Sequence, residues 1–173
     1  MKALIKEEKV SLPKGCLMVL FDLPKWPEFV SKFIDSEDFE PQKWMEDKAT
    51  YEQPHVTILY GFDPEVTLDE VKALLMPLEE INVEFKSIGH FGNENFDVVN
   101  FVCESEQLRQ MRTVVETLPN EQTYPDYNIH ATIAYVKPGE GAKHEGAKFT
   151  PFTLKPSKYL FSAPDGTNEE FTL

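Results

Sequence analysis

The chain has 173 residues and a mass of 19.9 kDa, a length that suits one domain, residues 1–173, with a sizeable core. Apolar residues make up 41% and charged residues 27%, an ordinary globular composition rather than a disordered one. Seventeen basic against thirty acidic residues leave a net charge of −13, which argues against a broad basic groove for long nucleic acid and against binding to an anionic membrane.

The opening MKALIKEEKV sets Glu7, Glu8 and Lys9 where a signal peptide would need its apolar run. The apolar stretch Gly15–Leu23 is far short of the ~20 residues of a membrane span. Cys16–Leu23 reads as a buried strand and Pro27–Ile34 as a helix, with Pro27 acceptable in its first turn. The acidic stretch Asp35–Pro54 reads mostly as loop, and His55–Phe62 as strand. Thr67 caps a helix through Leu78, with Glu70 three residues on completing a capping box. Ile81–Phe91 and Phe96–Cys103 form a hairpin around Gly92-Asn93-Glu94-Asn95. Ser105 caps a second helix through Leu118, stopped by Pro119. Ile129–Val136 is a strand, and Phe149–Leu154, Lys158–Phe161 and Glu170–Leu173 are short ones, the last two joined by a Pro164-Asp165-Gly166 turn. Mixed elements with hairpin-linked strands predict an α+β fold with antiparallel sheet. Cys16 and Cys103 sit in apolar runs and read as buried reduced thiols, consistent with a cytoplasmic location.

One feature stands out. His55-Val56-Thr57-Ile58-Leu59-Tyr60 recurs 75 positions later as His130-Ala131-Thr132-Ile133-Ala134-Tyr135. With four histidines and eleven threonines in the chain, chance gives such a match at a rate of order one in ten thousand, so an internal repeat is indicated. On a strand side chains alternate faces. His55 and Thr57 therefore share one face, their Cα atoms roughly 6.8 Å apart, and Val56, Ile58 and Tyr60 point into the core. In the second copy His130 and Thr132 share a face, opposite Ala131, Ile133 and Tyr135. Two such strands side by side would surround a phosphodiester with two imidazoles and two hydroxyls. Histidine can act as base or acid near neutral pH, and threonine hydroxyls can donate to the nonbridging oxygens. That chemistry requires no metal and no cofactor.

These paired motifs in an α+β chain of this length resemble the 2H phosphoesterase superfamily, also called LigT-like. The context Pro54-His55-Val56-Thr57-Ile58-Leu59-Tyr60-Gly61 and the late Phe161-Ser162-Ala163-Pro164-Asp165-Gly166 stretch are similar to a phage branch that includes the anti-CBASS nuclease of cyclic oligonucleotide signals. The resemblance implies a bilobal, pseudo-symmetric fold, with antiparallel sheets around a central cleft and flanking helices. It makes His55 and His130 the acid/base pair and Thr57 and Thr132 the phosphate ligands.

Trp44, Tyr51 and Tyr127 lie in irregular segments leading into the motif strands, where aromatics either stack on nucleobases or plug the core. His144 lies in a loop region, Lys137–Lys158, whose five lysines against Glu140 and Glu145 offer either a positive lip for a small anion or a solvated loop. No GxGxxG, P-loop, GxSxG, CxxC or HExxH pattern occurs. The expected partner is a small nucleotide, in particular a cyclic one, because affinity for long RNA needs many Lys and Arg contacts. The alternatives are a 2′,3′-cyclic nucleotide phosphodiesterase, a 2′-5′ RNA ligase-like processing enzyme, or a protein that sequesters a cyclic nucleotide without cutting it.

Overall fold

The computed structural model describes residues 13–122, 124 and 126–173; the reading of the first ten residues lies outside them. The elements are β1 (Gly15–Leu20), α1 (Trp26–Phe33), β2 (His55–Phe62), α2 (Leu68–Leu75), β3 (Val83–Gly92), β4 (Asp97–Glu104), α3 (Glu106–Val115), β5 (His130–Val136), β6 (Phe152–Leu154), β7 (Lys158–Ser162) and β8 (Asn168–Phe171). This is the predicted order. The capping box is present: Thr67 Oγ1 accepts from the Glu70 amide while the Glu70 carboxylate accepts from the Thr67 amide. Ser105 caps α3 through the Leu108 amide. Both helices stop about one turn before their predicted ends. Pro77 and Pro119 lie at these ends, where the chain tightens, with Leu78 N donating to Leu75 O and Leu118 N to Val115 O. The 35–54 stretch is irregular except for two 3₁₀ turns, Ser36–Asp38 and Lys43–Met45. Among the described residues no helix is long and apolar enough to cross a membrane.

The eight strands form one curled antiparallel sheet in the order β6-β3-β4-β5-β2-β1-β7-β8. It divides into two matching halves. Each motif strand has its neighbour (β1 beside β2, β4 beside β5), then a further strand (β7, β3), then a short edge (β8, β6). The halves meet at the single pair Val56↔Ala131. All three helices pack on one face. Trp26 and Phe29 of α1 stack around Phe101, and Met111 of α3 meets the Tyr159 hydroxyl. That face holds the core, including Leu17, Val19, Val56, Ile58, Leu59, Phe85, Phe101, Ala131 and Ile133. Cys16 and Cys103 are free and buried.

The alternation fails at one place in each motif, and at the same place. Leu17 pairs with Leu59 and Met18 with Thr57, so Ile58 is an extra residue. Val99 pairs with Ala134 and Asn100 with Thr132, so Ile133 is the extra one. These are β-bulges, and a bulge reverses the parity of everything after it. Ile58 and Leu59 are both buried, and Ile133 and Ala134 likewise. Tyr60, predicted in the core, is 53% exposed, and Tyr135 is half-buried against aromatic neighbours. Both tyrosines therefore stand on the His/Thr face, a correction to the period-two reading.

Beyond the central pair β2 and β5 diverge, and each freed edge is sealed by the segment that precedes the other motif. For β2, Glu121 N donates to Gly61 O, and Phe62 bridges Asn120. Gly61 has φ +122, and a Cβ there would sit 2.3 Å from the Glu121 carbonyl oxygen, so only glycine allows this approach. For β5, Tyr135 N donates to Ala49 O, Glu40 N to Tyr135 O, and Phe39 bridges Val136.

Candidate active site

The central pair sets the geometry of the site. Continuing the antiparallel register by one residue either way places His55 opposite Thr132 and His130 opposite Thr57. Each histidine thus has a threonine two residues on in its own strand and another across the strand boundary. A pseudo-twofold axis runs between Val56 and Ala131. All four side chains share the face turned away from the helices, where His55, Thr57 and His130 are partly exposed and Thr132 is buried. Two shallow hollows, of about 260 and 270 Å³, lie beside α1 and are lined by residues such as Trp26, Pro27, Thr50 and Glu52. The chemistry points to this sheet face rather than to either hollow.

Each imidazole is oriented by a backbone carbonyl two residues before it. His130 Nδ1 lies 2.8 Å from Asn128 O, and the Gln53 carbonyl acts on His55. With Nδ1–H donating, Nε2 is left for the substrate. Each ring also meets an aromatic edge: Tyr51 at 4.3 Å from His55 and Phe91 at 5.1 Å from His130, centroid to centroid.

The surroundings of His55 bear on its charge. Crowding strips water from the half-buried His55, and nearby His130 opposes a second positive charge. Together they push the His55 pKa down to about 4, although the Gln53 carbonyl pulls it upward. His55 is therefore neutral at pH 7. The two threonines differ in their surroundings. Thr57 has Met18 beside it and the Cys16 thiol within reach, that thiol being pushed up to about 12 by burial. Thr132 is buried beside the side-chain amide of Asn100, itself 3% exposed.

The remaining predicted residues divide. Tyr51 is at the site: its carbonyl accepts from the Trp26 indole at 3.0 Å, and its hydroxyl lies 3.3 Å from that of Tyr135. Trp44 is 62% exposed and stands 5.6 Å from both Tyr135 and Phe96. Tyr127 instead supports the strand backbone. Its hydroxyl donates to Thr57 O at 3.1 Å, and Arg112 covers its ring at 5.1 Å. Arg112 also donates to Ile58 O at 2.8 Å and bonds Glu116 and Gln122, which fixes the first bulge. His144 is not brought to the histidine pair. It packs 5.4 Å from Phe33 at the end of α1, on the helix side of the sheet. The lysines do not gather into a lip: Lys143 pairs with Asp38 and Glu140, Lys155 with Glu80, and Lys158 with Glu170. Asn100, Phe91 and Arg112 are the residues that sequence reasoning missed. Asn100 had a signal, as the one amide in its strand, set between Val98, Val99, Phe101 and Val102. Among the described residues no group of three or more His, Cys, Asp or Glu side chains is arranged to hold a metal ion.

Comparison with Usb1 recovers the same fold. Usb1 of Kluyveromyces marxianus aligns over 95% of this chain and 100% of its own, with a TM-score of 0.63 at 13% identity. The same protein with uridine monophosphate gives a TM-score of 0.60 over the same shares, again at 13% identity. Apo LigT of E. coli aligns over 94% of this chain and 96% of its own, with 14% identity and a TM-score of 0.48. No curated protein matches in sequence. The family model described as the 2′-5′ RNA ligase superfamily matches residues 27–157, a span that takes in both motifs. The chain therefore belongs to the 2′-5′ RNA ligase superfamily and is a 2H-type phosphoesterase.

Proposed function

We propose that the chain is a metal-independent phosphodiesterase that cleaves a small cyclic oligonucleotide signal, as the anti-CBASS branch of phage enzymes does, with His55, Thr57, His130 and Thr132 as its catalytic residues. The observation that carries the reading is the pseudo-twofold arrangement of two imidazoles and two hydroxyls on one sheet face. His55, held neutral, takes the proton from the attacking oxygen, a ribose 2′-hydroxyl or a water. That oxygen bonds to phosphorus, and His130 gives a proton to the departing ribose oxygen. Thr57 and Thr132 donate to the nonbridging oxygens, where charge changes in the transition state. The net charge of −13 supports a short substrate over long RNA. The Usb1 structure of the same fold with uridine monophosphate supports a nucleotide ligand.

The test is incubation with cyclic di- and trinucleotides, 2′,3′-cyclic mononucleotides and RNA, all with EDTA present. Cleavage of a cyclic oligonucleotide in chelator, lost in His55→Ala, is the expected result. Activity on RNA alone would favour the RNA-processing alternative. Loss of activity in EDTA, restored by a divalent ion, would remove the metal-free mechanism.

A further inference from the structure

Trp44 is an unusual residue to leave in water. Its indole is 62% exposed, although burying an aromatic ring is among the larger gains open to a side chain. The loop that carries it is tightly built. Gln42 and Lys48 pair as a bridge, Asp47 N donates to Gln42 O at 3.1 Å, and Gln42 is buried with its amide on Glu40 O at 2.7 Å. Two consecutive non-glycine residues, Glu46 and Asp47, adopt left-handed φ of 55° and 60° to close the turn. Such backbone strain persists where the surrounding structure enforces it, and it gathers at binding sites.

The ring is not isolated. Phe96 and Tyr135 stand behind it, each 5.6 Å away and 5.3 Å from one another. Tyr135 touches Tyr51, and Tyr51 touches His55. An aromatic train thus runs from the first imidazole to the exposed indole. The second bulge is what turns Tyr135 into this train. The segment Asp35–Pro54 carries seven acidic residues against Lys43 and Lys48, so it repels phosphate and favours an uncharged ring. Tyr51 lies against His55, and Trp44 is three rings out from that imidazole.

We infer that Trp44, backed by Tyr135 and Phe96, is the stacking platform for a second nucleobase, so that the preferred substrate has at least two nucleosides. This rests on the nucleotide phosphodiesterase reading above. Stacking of one base on an aromatic side chain is worth about 1–3 kcal/mol, a factor of roughly 5 to 150 in affinity, and the larger π face of a purine gains most.

Two measurements test it. The first is the ratio of kcat/KM for a cyclic dipurine nucleotide to that for a 2′,3′-cyclic mononucleotide. Trp44→Ala should lower this ratio about tenfold or more, while Trp44→Phe recovers most of it. An unchanged melting temperature in both variants would show that the fold is intact. The second is binding to the His130→Ala variant followed by tryptophan fluorescence. Trp26 is 2% exposed, so quenching of the accessible indole reports Trp44. The cyclic dinucleotide should quench it, and the mononucleotide should not. A ratio within twofold of wild type in Trp44→Ala, or equal quenching by both ligands, would overturn the platform. Quenching by the dinucleotide without cleavage by the wild-type chain would instead uphold the platform and refute the phosphodiesterase.

Discussion

The two halves of the sheet carry hexapeptides alike at four of six positions, the same bulge and a carbonyl two residues before each histidine, yet they surround those groups differently. The first-motif half is apolar around its threonine, with Met18 and Cys16, and its backbone is held by a buried cation, Arg112. The second-motif half sets Asn100 beside its threonine, and its edge is sealed by the acidic segment that presents Trp44. The difference is felt at the first imidazole, where desolvation and the neighbouring His130 push His55 down to about 4, which suits it to the role of base proposed above.

The comparison is broken most directly by removing each histidine. His55→Ala and His130→Ala should each lower turnover by about 10² to 10⁴-fold while the fold persists, as read by kinetics beside circular dichroism. Near-wild-type turnover in either variant would leave that half with no chemical role.

Stability against pH sharpens the comparison next. The folded chain holds the His55 pKa at about 4, below the ordinary value near 6.5. Above pH 6.5 His55 is neutral in both states and contributes no difference. As pH falls from 6.5 to about 4 the unfolded chain takes up a proton and the folded one does not. Stability is therefore lost across that window, by about 3 kcal/mol in all. In denaturant titrations wild type should lose stability relative to His55→Gln as pH falls through it. Parallel curves would show that His55 is not desolvated. The acid limb of kcat/KM should likewise lie well below pH 6.5.

Thr57→Val and Thr132→Val, close in shape but lacking the donor, should each lose about 10²-fold in turnover, the scale for one preorganised donor. Asn100 can offer a substitute donor beside position 132, whereas Met18 offers none beside position 57. The Thr57 variant should therefore be the slower of the two, and the reverse order would remove the polar asymmetry. The smallest effect is on the scaffold. Arg112→Leu leaves the buried Ile58 carbonyl without its donor and should cost about 2 kcal/mol, measured as a shift in urea midpoint. An unshifted midpoint would mean the first bulge needs no support from α3.

Much of this was legible in one dimension. Local chemistry dictates the capping box at Thr67–Glu70, the cap at Ser105, the Pro164-Asp165-Gly166 turn and the strand character of both motifs, because each depends on residues a few positions apart. The repeated His-x-Thr pair is likewise a sequence fact, and its matched spacing within each strand puts both groups on one face. What no single strand contains is its partner's register. The bulges at Ile58 and Ile133 exist only where β2 meets β1 and β5 meets β4, so the alternation alone sends Tyr60 and Tyr135 to the wrong face. The pairing of Val56 with Ala131 brings His55 opposite Thr132 across 77 positions of chain. The neutrality of His55 comes from groups crowded around it by folding. Sequence determined which groups are the candidates for chemistry; their faces, their neighbours and the protonation of His55 were decided by long-range packing, because desolvation and strand register are properties of what surrounds a residue in space.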